Sequence, residues 1–289
     1  MTSMMSSLKS AAAAINLSKI TCTFASLAKP VARPGDRPGV GAGDYTAVCE
    51  ASLTVARGEF VSVVGPTGCG KSTLLNIAAG LIAPTAGEVT VFGTPLKGIN
   101  RHAGYLFQSD ALLPWMSAVD NVIVGLIFRG IRRADALERG HQWLARVGLS
   151  GHGHKYPHQL SGGMKKRLSL AQVLINDPDI LLMDEPFSAL DIQTRQLMEN
   201  ELLDLWSADR KSVLFITHDL EEAISLSDRV VVLSAGPETR PIGEFAITLP
   251  RPRDVAEVRM TPGFLELHKQ IWDILKAEVQ KGYRQGLAA

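Results

Sequence analysis

The sequence predicts an α/β fold built on a parallel sheet with helices on both faces. Three observations carry this reading. Phe60–Val64, Ile180–Met183, Val213–Ile216 and Arg229–Leu233 are short, largely apolar and β-branched runs, the pattern of strands buried on both faces. Helical stretches alternate with strands along the chain, which is how parallel strands are joined. Gly65-Pro66-Thr67-Gly68-Cys69-Gly70-Lys71-Ser72 follows the first run directly and opens a helical stretch, matching G-x-x-x-x-G-K-[ST].

The elements follow in order. Residues 1–15 read as a loose tail rich in Ser, Met and Ala, without the apolar core of a signal peptide. Lys19–Phe24 begins the fold as a strand. Lys29–Asp44 holds three prolines and four glycines and reads as a turn or mobile loop. Tyr45–Val55 returns as a strand, with Gly58 at the next turn. Lys71–Leu81 is a helix closed by Gly80 and Pro84. Gly87–Phe92 and Ala103–Phe107 are further strands. Val119–Phe128, Ala134–Val147 and Ser161–Ile175 are helices that form a compact helical insertion, about residues 111–176. From Pro250 the character changes. Phe264, Leu267, Ile271, Ile274, Leu275 and Val279 follow helical spacing on a helix that begins near Pro262. The stretch 250–289 is too short for a domain of its own and is read as an extension docked on the core.

The chain has 289 residues, 46% of them apolar, so one large core is feasible. A net charge of +1 gives no pull toward nucleic acid, and no nucleic-acid partner is expected. Three cysteines, Cys22, Cys49 and Cys69, form neither a metal pattern nor a disulfide framework, which favours a reducing compartment. No apolar stretch reaches the length that crosses a bilayer, so work at a membrane requires another chain to span it.

The chemistry lies in a few motifs. In the glycine-rich loop, backbone N–H groups converge on an anion and the following helix adds its positive end. Lys71 is placed to reach β- and γ-phosphates, and Ser72 to ligate Mg²⁺. Taken alone, this loop does not separate kinases, GTPases and ATPases. Cys69 stands within it, so alkylation of its thiol is expected to block nucleotide binding. Asp184 and Glu185 follow an apolar strand that exits beside the loop. Asp184 is the candidate for Mg²⁺, and Glu185 for polarising the attacking water. Successive strand residues point to opposite faces, so two roles are natural.

Leu160-Ser161-Gly162-Gly163 opens a helix, with Ser161 as N-cap and Gly162 and Gly163 exposing N–H groups. It is either a plain helix cap or a second anion cradle. A second cradle without its own lysine suggests that each nucleotide is held between two chains. Gln108, at the end of Tyr105-Leu106-Phe107, offers an amide to the metal or the water. His218, after Leu214-Phe215-Ile216, offers an imidazole to the γ-phosphate. Asp191, in Ser188-Ala189-Leu190-Asp191, is placed to face a partner chain.

The order of these motifs, from about Ile20 to Gly243, resembles that of the ATP-binding cassette (ABC) ATPases. The resemblance implies a P-loop NTPase (RecA-like) parallel core with an antiparallel β subdomain and an α-helical insertion, spanning residues 16–249. It implies ATP and Mg²⁺ as cofactors, with Gly65–Thr73 as the Walker A loop, Thr73 included. It makes Asp184 the Walker B acid, Glu185 the catalytic base, Gln108 the Q-loop residue, Ser161–Met164 the signature loop and His218 the switch histidine. The family also stacks adenine on an aromatic upstream of Walker A, for which Tyr45 is the candidate and Phe24 the alternative.

Asp110-Ala111-Leu112-Leu113-Pro114-Trp115, Leu160–Lys165 and Leu249-Pro250-Arg251-Pro252-Arg253 look like the nitrate, sulfonate/taurine and bicarbonate importer ATPases. That narrower resemblance implies an ATP-hydrolysing importer subunit for a small anion, peripheral on the cytoplasmic face of the inner membrane. Its partners would be transmembrane permease subunits, a periplasmic solute-binding protein in the same complex, and a second ATPase chain, either identical or paralogous. Leu112, Leu113 and Trp115 are the candidate permease contact, or else pack inside the helical insertion. An importer ATPase for another solute and a soluble ABC ATPase of DNA repair or translation remain alternatives. The latter lacks its usual features here, a long coiled-coil insertion or two cassettes in one chain.

Overall fold

The computed structural model describes residues 13–25, 44–188 and 190–288, with side chains through Arg284. The loop read at Lys29–Asp44, except Asp44 itself, and most of the tail read at 1–15 therefore lie outside the described residues, as does Ala189. Ala13, Ala14 and Ile15, assigned above to the tail, are a correction. They are buried in the first strand, where their small and apolar side chains pack into the core.

Two sheets make the frame. The first has four strands in the order β2-β1-β4-β5, all antiparallel: β1 (Ala13–Phe24), β2 (Tyr45–Ala56), β4 (Ala86–Val91) and the short β5 (Thr94–Pro95). The second has six strands: β3 (Phe60–Val64), β6 (Ala103–Leu106), β7 (Ile180–Asp184), β8 (Ser212–Ile216), β9 (Arg229–Leu233) and β10 (Pro241–Ala246). Their order is β10-β9-β3-β8-β7-β6, and all neighbours are parallel except β10 against β9. Strand β10 has no counterpart in the sequence reading. Its Pro241 and Gly243 lower strand propensity, and as an edge strand it is only half covered.

The parallel strands are buried on both faces, as their composition requires. Ile180, Leu182, Leu214 and Ile216 pack with Ile15, Leu17, Leu53 and Val55 of the antiparallel sheet. Leu181, Met183 and Phe215 face the other way, onto Leu170, Leu202 and Trp206. Those last residues come from α4 (Gly162–Leu174) and α5 (Ile192–Asp209). Each such side chain contributes about 1.5–3 kcal/mol on burial, so the two faces together fix the layer order.

Helices α2 (Ala118–Phe128) and α3 (Arg133–Arg146) close a third core with α4, built on Val122, Ile123, Leu126, Leu144 and Leu168. A fourth core joins α6 (Leu220–Leu226), the short α7 (Val255–Val258) and the long α8 (Pro262–Ala288). On α8, Phe264, Ile271 and Leu275 are buried, whereas Ile274 and Val279 stay exposed, so the docked stripe is narrower than the spacing suggests. Among the described residues, no helix is long and apolar enough to cross a membrane.

Parallel registers bring the carboxyl ends of β3, β8, β7 and β6 to one edge. In open α/β sheets this edge is where ligands bind.

Candidate functional site

The loop after β3 is forced into shape by close packing. A Cβ on Gly65 would fall 2.9 Å from Cys69 Sγ and 3.1 Å from Leu233 Cβ. Gly70 has φ 100, and a Cβ there would lie 3.2 Å from Ala47 O. Gly70 also serves as N-cap of α1 (Lys71–Ala78), makes no side-chain cap and is followed by no acidic residue in the first turn. The helix start therefore keeps donors for an anion. Lys71 is buried, and its Nζ donates to Gly65 O at 2.9 Å and Pro66 O at 3.0 Å. Two of the three ammonium hydrogens are thereby used and one is left.

Next to it, Ser72 Oγ donates to Asp184 Oδ1 at 3.1 Å. Burial raises the Asp184 pKa, and the neighbouring Glu185 charge adds to this, while the Ser72 hydrogen bond and Lys71 oppose it. Tyr105 sits against Asp184, and its phenol is pushed up by burial and by that carboxylate. Glu185 itself adopts φ 43, a left-handed conformation that costs a non-glycine residue about 1–3 kcal/mol. Its backbone N–H is tied to Ile216 O at 2.9 Å. Two neighbouring strand exits then hold its side chain. His218 Nδ1 lies 2.9 Å from Glu185 Oε2, and Gln108 Nε2 donates to the same oxygen at 3.4 Å.

These groups line one cleft of about 460 Å³. Thr67, Gly68, Gly70, Lys71, Ser72 and Thr73 form its floor, and Gln108, Glu185 and His218 its wall. Both Phe24 and Tyr45 stand at its mouth, directly opposite each other across β1 and β2. The two aromatics that the sequence offered as alternatives are thus neighbours. Gly65, Pro66 and Cys69 lie behind the floor. Cys69 is only 1% exposed, so its thiol points into the packing and its contribution to the cradle is main-chain. The expected block of nucleotide binding by alkylation therefore concerns a thiol that does not line the cleft. Asp184 meets the cleft through Ser72.

Ser161, Gly162, Gly163 and Asp191 do not line this cleft. Ser161 Oγ accepts from Met164 N at 3.3 Å, a helix cap on α4. Asp191 Oδ1 accepts from Thr194 N at 3.0 Å and caps α5, and that bond holds its carboxyl low. A Cβ on Gly163 would meet Thr194 Cγ2 at 2.8 Å, so these two helix starts adjoin. Ser161 and Gly162 are exposed.

Three residues that sequence reasoning passed over organise the surroundings. Arg195 donates to Leu190 O at 3.1 Å and Asp219 Oδ2 at 3.3 Å, joining the turn before Asp191 to the residue after His218. Lys166 reaches Gln108 O. Asn121, fully buried, accepts from Leu113 N at 2.7 Å, and the two hydrogens of its Nδ2 are shared among Leu113 O, Met116 O and Ser117 O at 3.0–3.1 Å. Its one sequence sign is a lone amide in the apolar run of α2, a group that must find partners when buried. The turn it holds leaves Trp115 71% exposed, while Leu112 packs onto the helical core.

The family model for ABC transporter matches residues 48–188. An uncharacterized ABC transporter ATP-binding protein of Methanocaldococcus jannaschii is 47% identical over 81% of this chain and 85% of its own length. A taurine import ATP-binding protein of Mesorhizobium japonicum is 46% identical over 66% of this chain and 74% of its own. A bicarbonate transport ATP-binding protein of Synechocystis sp. is 41% identical over 81% and 83%. By shape, the chain matches a dimeric ATP-binding cassette in a post-hydrolysis state bound to ADP and Pi. That match has a TM-score of 0.68 and 28% identity, and it covers 82% of this chain and all of the other.

Proposed function

The chain belongs to the ATP-binding proteins of ABC transporters and is an ATPase, and from that premise we propose that it powers a bacterial importer of a small anion. Taurine, another sulfonate, nitrate and bicarbonate are the candidate solutes, in keeping with what the names of two relatives state. On this reading residues 16–249 with the described start of β1 form the ATPase domain, and 250–289 its C-terminal extension. The chain sits on the cytoplasmic face of the membrane beneath separate permease subunits, with a periplasmic solute-binding protein in the complex.

One observation carries the chemistry. A single carboxylate, Glu185, is held by side chains from two strand ends in a cleft whose floor is Lys71 and Ser72. The main-chain N–H groups within Gly65–Thr73, Pro66 excepted, and the Lys71 ammonium bind the triphosphate. Tyr45 and Phe24 cover the base. Glu185 takes the proton of a water whose oxygen attacks the γ-phosphorus as the bond to ADP breaks. Gln108 and His218 fix that carboxylate, and the second imidazole nitrogen is left for the γ-phosphate.

Ser72 Oγ and Asp184 Oδ1 are adjacent hard oxygens, and a divalent cation would relieve the raised proton affinity of Asp184. Held by Ser72 and Asp184, Mg²⁺ would supply charge neutralisation at the phosphates. The Ser161–Gly163 turn and Asp191 face the nucleotide of a second ATPase chain, identical or paralogous.

The permease contact is Leu113 and Trp115. Leu113→Asp with Trp115→Ala is expected to keep ATP binding and to lose the permease on co-purification from detergent-solubilised membranes. Full retention by a folded double variant would remove the contact. A wild-type chain that never brings a permease would end the importer reading.

A further inference from the structure

Lys166 is a cation that the chemistry above does not use, and it is only 5% exposed. A buried ammonium needs compensation for its lost hydration. Its Nζ donates to Gln108 O at 2.6 Å and lies 3.1 Å from Asp110 Oδ1. One turn nearer the C-terminus of α4, Ser169 Oγ donates to Asp110 O at 2.6 Å. The stretch from Phe107 to Leu113 belongs to no helix or strand, so it has no ladder of its own to fix it. Helix α4 therefore holds this stretch at two carbonyls and one carboxylate.

The two ends of this contact matter. Gln108 reaches the cleft, its amide 3.4 Å from Glu185 Oε2. Helix α4 begins at the exposed Ser161-Gly162-Gly163 turn. A buried ion pair adds little net stability compared with apolar side chains of the same volume, so stability alone gives no reason for a lysine here. What a lysine supplies and an apolar residue does not is a donor aimed at the Gln108 carbonyl. We propose that Lys166 is a positioning residue. It clamps the Gln108 main chain to α4, so that the Gln108 amide keeps its aim at Glu185 and travels with the Ser161–Gly163 turn when the helical insertion moves. The inference rests on the roles proposed for Gln108 and Glu185.

The test is steady-state ATP hydrolysis by the purified full chain, with melting temperatures recorded alongside. Lys166→Met leaves Asp110 unpaired, so the double variant Lys166→Met/Asp110→Asn serves as the folded control. Both are expected to lower kcat about tenfold with KM for ATP within about twofold, the pattern of lost alignment. The double variant is expected to regain melting temperature but not kcat. In a Gln108→Ala background, Lys166→Met is expected to add no further loss. Recovery of kcat together with stability in the double variant would reduce Lys166 to a counter-ion for Asp110 and overturn the proposal. A fully additive loss beside Gln108→Ala would do the same. Wild-type turnover by Gln108→Ala alone would instead overturn the role given to Gln108, and a deficit in Lys166→Met beside it would show that Lys166 does not act through that residue.

Discussion

The loop at Gly65–Ser72 and the turn at Ser161–Gly163 both open a helix with glycine, yet they differ in almost every physical respect. The first is enclosed, and a Cβ on Gly65 or Gly70 would strike neighbouring atoms. Its helix start carries no side-chain cap, and a lysine stands ready beside it. The second is exposed, its cap donor is already spent on Ser161, and a Cβ on Gly162 would meet nothing within 4 Å. Packing within the chain explains Gly65 and Gly70 of the first loop, and a φ of 77 explains Gly68. Neither explains Gly162, whose empty surroundings leave room for something brought from outside. On the reading proposed above, the first loop is shaped by its own chain and the second turn offers its donors outward to the nucleotide of a second chain, in keeping with the dimeric cassettes that the chain matches in shape.

The largest effect should come from Glu185→Gln, which removes the proton acceptor and should lower turnover about a hundredfold or more. ATP-bound dimers should then accumulate, visible by size-exclusion chromatography with light scattering. Adding Gly162→Asp places a carboxylate at the open turn without a steric clash. It should abolish the dimer and leave ATP affinity of the single chain unchanged. Dimers that persist in this double variant would break the pairing of the two cradles.

A smaller effect concerns the closure of the first loop. The Cys69 thiol is buried, and burial pushes its pKa up, so little thiolate is present to react. Maleimide labelling followed by mass spectrometry should find Cys69 at least about tenfold slower than the partly exposed Cys49. Equal rates would mean that the loop opens freely without nucleotide.

The smallest effect lies in the charge network behind Asp191. Burial raises Glu199 to about 8 and Glu222 to about 7, despite Arg259 and Arg195 nearby. The folded chain then holds protons that the unfolded chain has lost, so this part of the stability is full below about 4.5 and disappears as pH rises through 7 and 8. Melting temperature should fall over that window, and Glu199→Gln should flatten its upper part. A slope unchanged by the substitution would place the titration elsewhere.

Much of this was legible in the sequence, for a physical reason. Lys71, Ser72, Asp184 and Glu185 sit next to strands whose apolar composition announces them, so their place at one sheet edge follows from topology. The antiparallel edge strand β10 was hidden because Pro241 and Gly243 suppress the usual pattern. The Cys69 thiol fills the space that a Cβ on Gly65 would need, a packing relation that the motif pattern does not announce. The Lys166 contact spans 58 residues of sequence, and that of Arg195 with Asp219 spans 24. Such polar ties are set by tertiary packing alone. The charge of Lys166 reads in sequence as an ordinary solvated helix residue.

Asn121 has a consequence for how partners change over time. Because one buried amide fixes the turn from Leu113 to Ser117, the shape of that turn does not depend on what Trp115 touches. A partner that meets this turn finds a surface already ordered, so little freedom is lost on association. The outward side chains can then be exchanged one at a time without refolding the support beneath them. If the permease contact proposed above lies here, a few surface substitutions on this turn re-address the cassette to a different membrane partner without touching its nucleotide cleft.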